Sequence, residues 1–466
     1  MKEGDNMITE NYNIEESKGK TALLINPPVY DFAYSNHYNQ PDGLLRVATL
    51  LKNKGYRTNL LDFLAREGWR GISATPQKRE KGKGKGLTRY HYGFSFKEFE
   101  KRLRKLPFYP DEVYVTSIMT YWWESTRDVI SMVRKMYPKS TILVGGVYPT
   151  LCPEHANINT GADIVIKGEI EEASNLWTDL SLYRKSPSYA IINISRGCPF
   201  RCAYCAQDKL NGAGMRFREP EDVVAEIENK YRSGVSTFWI FSDNFLIGNH
   251  FHEILDLIVA KGLKITISAP KGMEPRLITN DLLKLMKRAG WKTINMAFET
   301  ANSTVREKSW NRRHNTNTDF ERAVRLCGEQ GFKTGSGGIV GFLLFGAPGE
   351  RIADVRNTMS SLHGAGVFIR PMPFTPVPGT EIFEQYKDYI IKEGLSLEDL
   401  NEKLFPFEGL NGISIQEYMD LQKEMYQLNT KLNRHIRVNP IGAADLLNFK
   451  IHMAYLNLGQ TLACPV

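Results

Sequence analysis

Between Thr21 and about Tyr183, short apolar runs alternate with stretches in which apolar residues recur every three or four positions. Strand-then-helix alternation of this kind predicts a parallel sheet covered by helices. Thr21–Asn26 predicts a buried first strand, Arg57–Asp62 a second, Glu112–Ser117 a third, Ser140–Val144 a fourth and Asp163–Lys167 a fifth. Gly43–Asn53 predicts an amphipathic helix, with Leu44, Val47, Leu50 and Leu51 on one face and Gly55 as its stop. Sheets of this class take ligands at the C-terminal ends of their strands. The expected lining is therefore Asn26–Tyr30, Thr116–Thr120, Gly145–Thr150 and Gly168, with the glycines permitting close backbone approach.

From Ala190 the rhythm changes to about six strand–helix units. The strand-like runs are Ala190–Ser195, Thr237–Phe241, Lys264–Ser268, Thr293–Met296, Gly338–Phe345 and Gly366–Arg370. Their spacing predicts a parallel barrel. Beyond Glu381 the chain reads as helical and polar-faced, with Tyr418, Leu421, Met425, Leu428 and Leu432 in one apolar stripe. Such a stripe is more often core than interface, and the region is expected to cap the barrel.

The 466 residues are 42% hydrophobic and 24% charged, a composition that fits two or three globular domains. No apolar run reaches the length of a membrane span. Met1–Lys20 is polar and acidic, unlike a signal peptide, and is expected to be a disordered lead-in. The net charge of +8 comes largely from Arg66–Lys105, and above all from Lys78–Gly86, where lysine alternates with glycine. A solvated basic loop explains this insertion (residues 66–94) better than a nucleic-acid contact, because no nucleic-acid-binding motif accompanies it. Neither a membrane nor nucleic acid is expected as a partner.

Three of the six cysteines fall within eight residues, Cys198, Cys202 and Cys205, just after the first strand of the second region. Spacings of three and two intervening residues curl a loop so that three thiolates converge. Thiolates ligate iron–sulfur clusters, and a four-iron cubane held by three cysteines keeps one iron open. A structural zinc site would want a fourth ligand, yet Cys152 and Cys327 lie in segments that read as packed structure. A disulfide framework does not suit a long chain without a secretory signal. The scattered Cys152, Cys327 and Cys464 show no second grouped set. Cys464 reads as a spare thiol, with an auxiliary-cluster role left open.

Ser195–Cys205, with its Cys-Pro-Phe-Arg-Cys-Ala-Tyr-Cys core, resembles the signature of the radical S-adenosylmethionine (SAM) enzymes. The resemblance implies a [4Fe–4S] cluster on Cys198, Cys202 and Cys205 whose open iron chelates SAM. An electron from that cluster cleaves SAM to a 5′-deoxyadenosyl radical. It also implies a partial (β/α)6 barrel over residues 188–380, with SAM held by Tyr204 beside adenine, Asp243 at the amino group, Glu299 at the ribose, and the glycine-rich turn containing Gly341 and Gly346. The residues alone leave plainer roles open: a helix cap for Asp243 and a structural ion pair for Glu299.

Residues 21–184, with Gly145-Gly-Val-Tyr-Pro-Thr150 and Lys167-Gly-Glu169, resemble the cobalamin-binding domain found in one branch of that family. This implies a cobalamin site at Tyr30, Ser117, Gly145, Gly146 and Gly168. The Asp-x-His-x-x-Gly motif that supplies a lower axial histidine is absent. No catalytic acid, base or nucleophile can be named.

The resulting expectation is an α/β protein: a doubly wound parallel sheet, a radical SAM barrel and a C-terminal helical region over residues 381–466. Its expected activity is oxygen-sensitive, cobalamin-dependent methyl transfer to an unactivated carbon, with SAM as both radical source and methyl donor. The alternative keeps the radical cluster without cobalamin and performs a rearrangement, cyclisation or coupling. A non-enzymatic cluster carrier would have no use for Asp243 and Glu299. Expected partners are a small-molecule or peptide substrate and a reductant such as flavodoxin or ferredoxin, in the cytoplasm, where thiols stay reduced.

Overall fold

The computed structural model describes residues 7–32, 39–65, 72, 74–335, 337–405, 408 and 411–433. They form two compact units. The first holds the described residues up to Phe238 together with 375–405, and the second holds Trp239–Phe374 and the described residues from 408 to 433.

In the first unit, β1 (Met7–Glu10), β2 (Thr21–Asn26), β4 (Arg57–Asp62), β7 (Glu112–Thr116), β8 (Thr141–Gly145) and β9 (Ile164–Lys167) make one parallel sheet, in the order β1-β9-β8-β7-β2-β4. All six residues of β2 are buried, as a central strand covered on both faces requires. Leu23, Ile25, Val113, Val115, Ile142 and Val144 face one core, against Phe99, Leu103, Val129, Ile130 and Val133. The alternate residues Ala22, Leu24, Tyr114 and Leu143 face the other, against Leu44, Ala48 and Leu51 of the helix Asp42–Asn53. Helices on both faces make the sheet doubly wound.

Two expectations need correction. The lead-in is ordered from Met7: β1 pairs parallel with β9 in register Met7↔Ile164, and Ile14 is buried. Four residues are too few to show a period, but the pairing covers an otherwise open sheet edge. The basic insertion is not a solvated loop either. β5 (Ala74–Lys78) and β6 (Thr88–Tyr92) form a hairpin, and β6 also pairs antiparallel with β3 (Val29–Asp31).

The turn of that hairpin is docked. Arg79 is buried in an ion pair with Asp399 at 2.7 Å, and the Lys83 amide donates to the same carboxylate at 2.6 Å. Gly82 and Gly84 have φ of +74° and +81°, and a Cβ on either would stand 2.6 Å from Asp399 Oδ1 or 2.8 Å from Leu404 Cδ2. The glycines therefore serve close packing, while Lys78, Lys81 and Lys85 stay exposed. Residues 396–404 form a strap across this side of the unit. Trp123 Nε1 donates to Glu398 at 2.9 Å, Tyr121 to Glu402 at 2.8 Å, and Asn401 to buried Asp31 at 2.9 Å. The strap falls in the region expected to cap the barrel, yet it belongs to the first unit.

The same unit carries β10 (Tyr189–Ile192), β11 (Ser195–Arg196) and β12 (Arg216–Phe217), the last two paired antiparallel. The chain passes through β13 (Thr237–Ile240) into the second unit, with β14 (Thr266–Ser268), β15 (Ile294–Glu299), β16 (Ile339–Phe345) and β17 (Phe368–Pro373). β15, β16 and β17 lie side by side and parallel, and parallel bridges Ile267↔Trp291 and Met273↔Met296 extend the pattern. Helices His250–Ala260, Asn280–Arg288, Asn317–Glu329 and Ile352–Gly364 intervene, as strand–helix units demand. The helix Ile415–Asn433 buries Tyr418, Leu421 and Met425, so its stripe is core. Its Asn429 amide bonds the Ile369 N–H and carbonyl at 2.9 and 2.8 Å, taking the place of a strand beside β17. Among the described residues no helix is long and apolar enough to cross a membrane. Cys464 lies outside them.

Candidate functional site

The cysteine loop hangs from a two-stranded stem. β11 leads in, β12 leads out, and Gly197 makes the bend at φ +84°, where a Cβ would stand 2.1 Å from the Gly214 carbonyl oxygen. No residue with a side chain fits there unless the loop moves. Within the loop the Cys205 N–H donates to the Cys202 carbonyl at 2.9 Å, and the Ile382 N–H to the Ala203 carbonyl at 3.1 Å. Glu169 fastens the stem, with one carboxylate oxygen 2.8 Å from Arg196 and the other 2.6 Å from Arg216. It ends the Lys-Gly-Glu stretch read from the sequence as part of a cobalamin pattern, and its grip on the cysteine stem was not foreseen.

Cys198, Cys202 and Cys205 are half-buried thiols outside any disulfide. Burial pushes Cys152 and Cys327 up to about 12, which makes them poor thiolate ligands. Thiolates on a single metal ion sit within about 4 Å of one another. Among the described residues no three His, Cys, Asp or Glu side chains close round one ion. Three thiols on one braced loop are the residues expected from the sequence to hold a [4Fe–4S] cluster. Tyr204 is half-buried between Ala203 and Cys205.

A small apolar cleft of about 90 Å³, partly open to solvent, lies in the same unit. Met119, Thr120 and Tyr121 follow β7, and Val147 and Leu151 follow β8. Ala206 and Leu210 follow the last cysteine, and Thr375, Pro376, Val377 and Leu400 complete the wall. Gly146, at φ +107°, packs so tightly that a Cβ would stand 2.5 Å from the Ser117 carbonyl oxygen. Ser117 is buried and accepts a hydrogen bond from Thr126 at 2.9 Å. Gly145 ends β8 with ordinary contacts, and the Gly168 N–H donates to Thr150 at 3.0 Å. These four residues form the strand-end ledge, and the cleft lining begins just beyond it, at Met119 and Val147. The clue was available: apolar side chains directly after strand ends, where polar loop residues are usual.

Tyr30 lies elsewhere. Its hydroxyl donates to Asp128 at 2.9 Å and Arg89 sits 5.1 Å from its ring centre, in the packing of β3. Among the described residues the cleft lining holds no histidine. His155, nearby in sequence, contacts the Tyr148 hydroxyl at 2.7 Å and packs edge-on against Trp123. An apolar shelf backed by close-packed backbone suits the flat, apolar face of a corrin ring.

The second unit holds the other expected SAM residues. Asp243 is buried and paired with Lys271 at 3.2 Å. The next helix has Asn249 at its N-cap, so the helix-cap role does not describe Asp243. Glu299 ends β15 beyond a bulge at φ +68°, a left-handed conformation that costs a side-chain-bearing residue about 1–2 kcal/mol. Such strain at the end of a buried strand is a common mark of functional positions. Gly346, at φ +96°, and Ala347 donate their N–H groups to Glu350 at 2.8 and 3.2 Å. Burial still pushes the Glu350 carboxyl up to about 7. Gly341 faces the helices, and a Cβ there would stand 2.6 Å from Leu362. Its contacts are those of packing. Beside these, buried Glu274 is held by Arg312 at 2.7 Å. Burial would raise its carboxyl, but Arg312 and His314 outweigh that and hold it below the usual range.

A family model described as the Radical SAM superfamily matches residues 192–362, and one described as a B12 binding domain matches residues 33–176. This chain is a radical SAM enzyme with a B12-binding domain. The enzyme is similar to bacteriochlorophyllide d C-12(1)-methyltransferase of Chlorobaculum tepidum, 23% identical over 349 residues, covering 66% of this chain and 73% of that protein. It is also similar to hopanoid C-2 methylase of Rhodopseudomonas palustris, 28% identical over 159 residues, covering 32% of this chain but only 29% of the relative. Among solved structures, the radical SAM methyltransferase TsrM of Kitasatospora setae superposes with a TM-score of 0.61 at 17% identity. That match covers 80% of this chain and 76% of TsrM, and at such identity it speaks for the fold alone.

Proposed function

We propose that this radical SAM enzyme transfers a methyl group to an unactivated carbon of a small-molecule substrate. One observation carries the reading. Ala206 and Leu210, directly after Cys205, share a cleft with Met119–Tyr121 and Val147, at the strand ends of the B12-binding domain. When bound, the reduced cluster supplies the electron that cleaves SAM, and cobalamin supplies the transferable methyl group. The protein's part is positional: Cys198, Cys202 and Cys205 hold the cluster, while Gly197, Glu169 and the β11–β12 stem fix their loop. In the second unit, Asp243, Glu299 and Gly346 are the candidates for holding SAM.

A second reading has its own support. The relatives include an anaerobic magnesium-protoporphyrin IX monomethyl ester cyclase of Synechocystis, 31% identical over 29% of this chain. Radical cyclisation without cobalamin is the alternative. Thiolate ligands call for a reducing compartment, so we place the enzyme in the cytoplasm, served by a flavodoxin- or ferredoxin-type reductant.

The test is product analysis after anaerobic reconstitution with iron, sulfide, SAM and a chemical reductant, with and without cobalamin. The methyltransferase reading expects 5′-deoxyadenosine in both and S-adenosylhomocysteine only with cobalamin. C198A should abolish both products and the cluster's visible absorption. Deoxyadenosine without cobalamin-dependent S-adenosylhomocysteine would favour the cyclase-like alternative. An intact cluster in C198A would overturn the ligand assignment.

A further inference from the structure

The stem of the cysteine loop carries a built-in electrostatic conflict. Arg196 and Arg216 are direct cross-strand partners in the two-residue ladder of β11 and β12. Like charges directly opposite one another weaken such a pair, and two residues a side offset little of it. The counter-charge comes from outside the stem. Glu169 puts one carboxylate oxygen 2.8 Å from Arg196 and the other 2.6 Å from Arg216. It lies within the stretch matched to the B12 binding domain, whereas both arginines lie within the radical SAM match. Directly before it, the Gly168 N–H donates to Thr150 at 3.0 Å, and the Thr150 hydroxyl donates to the Gly146 carbonyl at 2.7 Å. A continuous path therefore runs from the close-packed Gly146 of the strand-end ledge, through Thr150, Gly168 and Glu169, to Arg196. Cys198 follows two residues later.

We propose that Glu169 is a positioning residue shared by the two cofactor sites, and that through it the chain binds its cluster and cobalamin cooperatively. The proposal rests on the two cofactor assignments above and adds the link between them. With the carboxylate in place, both guanidiniums are neutralised and the stem stays closed around Gly197 and Cys198. A loaded cluster fixes the stem, and the fixed stem holds Glu169 and the Gly168 backbone beside it. Cobalamin then meets a ledge that is already ordered, so it binds more tightly than to the cluster-free chain. Linkage makes the effect reciprocal: bound cobalamin strengthens the hold on the cluster by the same factor.

The test measures hydroxocobalamin binding to the full chain by anaerobic equilibrium dialysis, before and after cluster reconstitution. Wild type should bind about fivefold or more tightly once the cluster is in place, the lower end of ordinary coupling between sites. E169Q should bind equally in both forms. It should also lose its cluster to a chelator about tenfold faster than wild type, the worth of one charge-assisted contact. E169Q/R216Q removes the opposing charge as well. It should regain most of the cluster retention but none of the dependence of cobalamin binding on the cluster. That split separates a positioning role from general support of the fold, which loss of a second contact would not rescue. Where E169Q takes up no cluster, E169Q/R216Q carries the comparison. Equal wild-type affinity with and without the cluster, a cluster effect that survives in E169Q/R216Q, or retention that the second substitution fails to restore would each overturn the proposal. Wild type that binds no cobalamin in either form would instead refute the cobalamin assignment, and the proposal with it.

Discussion

Replacing Asp399 by asparagine keeps the side chain's shape and removes its charge. The wild-type carboxylate is 1% exposed and faces a guanidinium that is 6% exposed, at 2.7 Å. The Lys83 N–H and the Ser396 hydroxyl also donate to it, at 2.6 Å each. D399N leaves the Arg79 charge buried without its counter-charge, and breaking one side of a buried pair costs about 3–5 kcal/mol. The amide oxygen retains part of the hydrogen bonding, so the lower end, about 3 kcal/mol, is expected, or roughly 150-fold in the equilibrium for local opening. Hydrogen exchange read by mass spectrometry on peptides spanning residues 396–405 measures that opening directly. Exchange there should accelerate by about two orders of magnitude in D399N, while peptides from β16 stay unchanged. The double variant R79M/D399L removes both charges and should recover most of the protection. If strap exchange in D399N stays within about threefold of wild type, or R79M/D399L opens as readily as D399N, the buried pair is not what holds the strap.

Two further outcomes follow from local geometry. G146A combines a φ of +107° with a Cβ 2.5 Å from the Ser117 oxygen, and should destabilise the first unit by about 2–4 kcal/mol. G145A meets only a contact at 3.7 Å and should cost less than about 1 kcal/mol, so urea midpoints of the two variants should separate clearly. At Glu350 burial lifts the carboxyl from 4.5 to about 7. The folded state thus binds the proton more tightly than the unfolded chain, and stability falls as pH rises from about 4.5 to about 7. E350Q escapes a penalty on the order of 3 kcal/mol, so its thermal midpoint should exceed that of wild type at pH 8 by more than at pH 5. Equal gaps at the two pH values would refute the assignment.

Local pattern was enough for what local pattern controls. β2 and β4 fall at the predicted residues, and β7, β8, β9 and the helix Asp42–Asn53 within a residue or two, because buried strands and amphipathic helices announce themselves in composition. Gly146 was legible as a site of close approach. Other features depended on distant partners. The lysine–glycine repeat reads as a flexible loop until Asp399, 316 residues from Lys83, fills the space beside it. β1 has no period of its own and exists because β9 needed a neighbour. Tyr30 drew notice for its place after a strand, but the antiparallel pairing of β3 turned it into the packing around Asp128. Glu169 was seen as part of a motif, while its two arginines lie 27 and 47 residues on.

The strap also sets the order of events during synthesis. Asp31 is made early, yet its hydrogen-bonding partner Asn401 follows 370 residues later. At ordinary elongation rates that interval is roughly 20–75 s. Throughout it, Asp31, Tyr121 and Trp123 must wait without the residues that cover them, while the whole β15–β17 region is being made. The N-terminal sheet can form on the ribosome, but its last seam closes only when the chain returns. A nascent chain stalled before residue 400 would expose two aromatic side chains and a carboxylate meant for the interior. Chaperone binding should therefore concentrate on arrested chains that contain β17 but lack the strap.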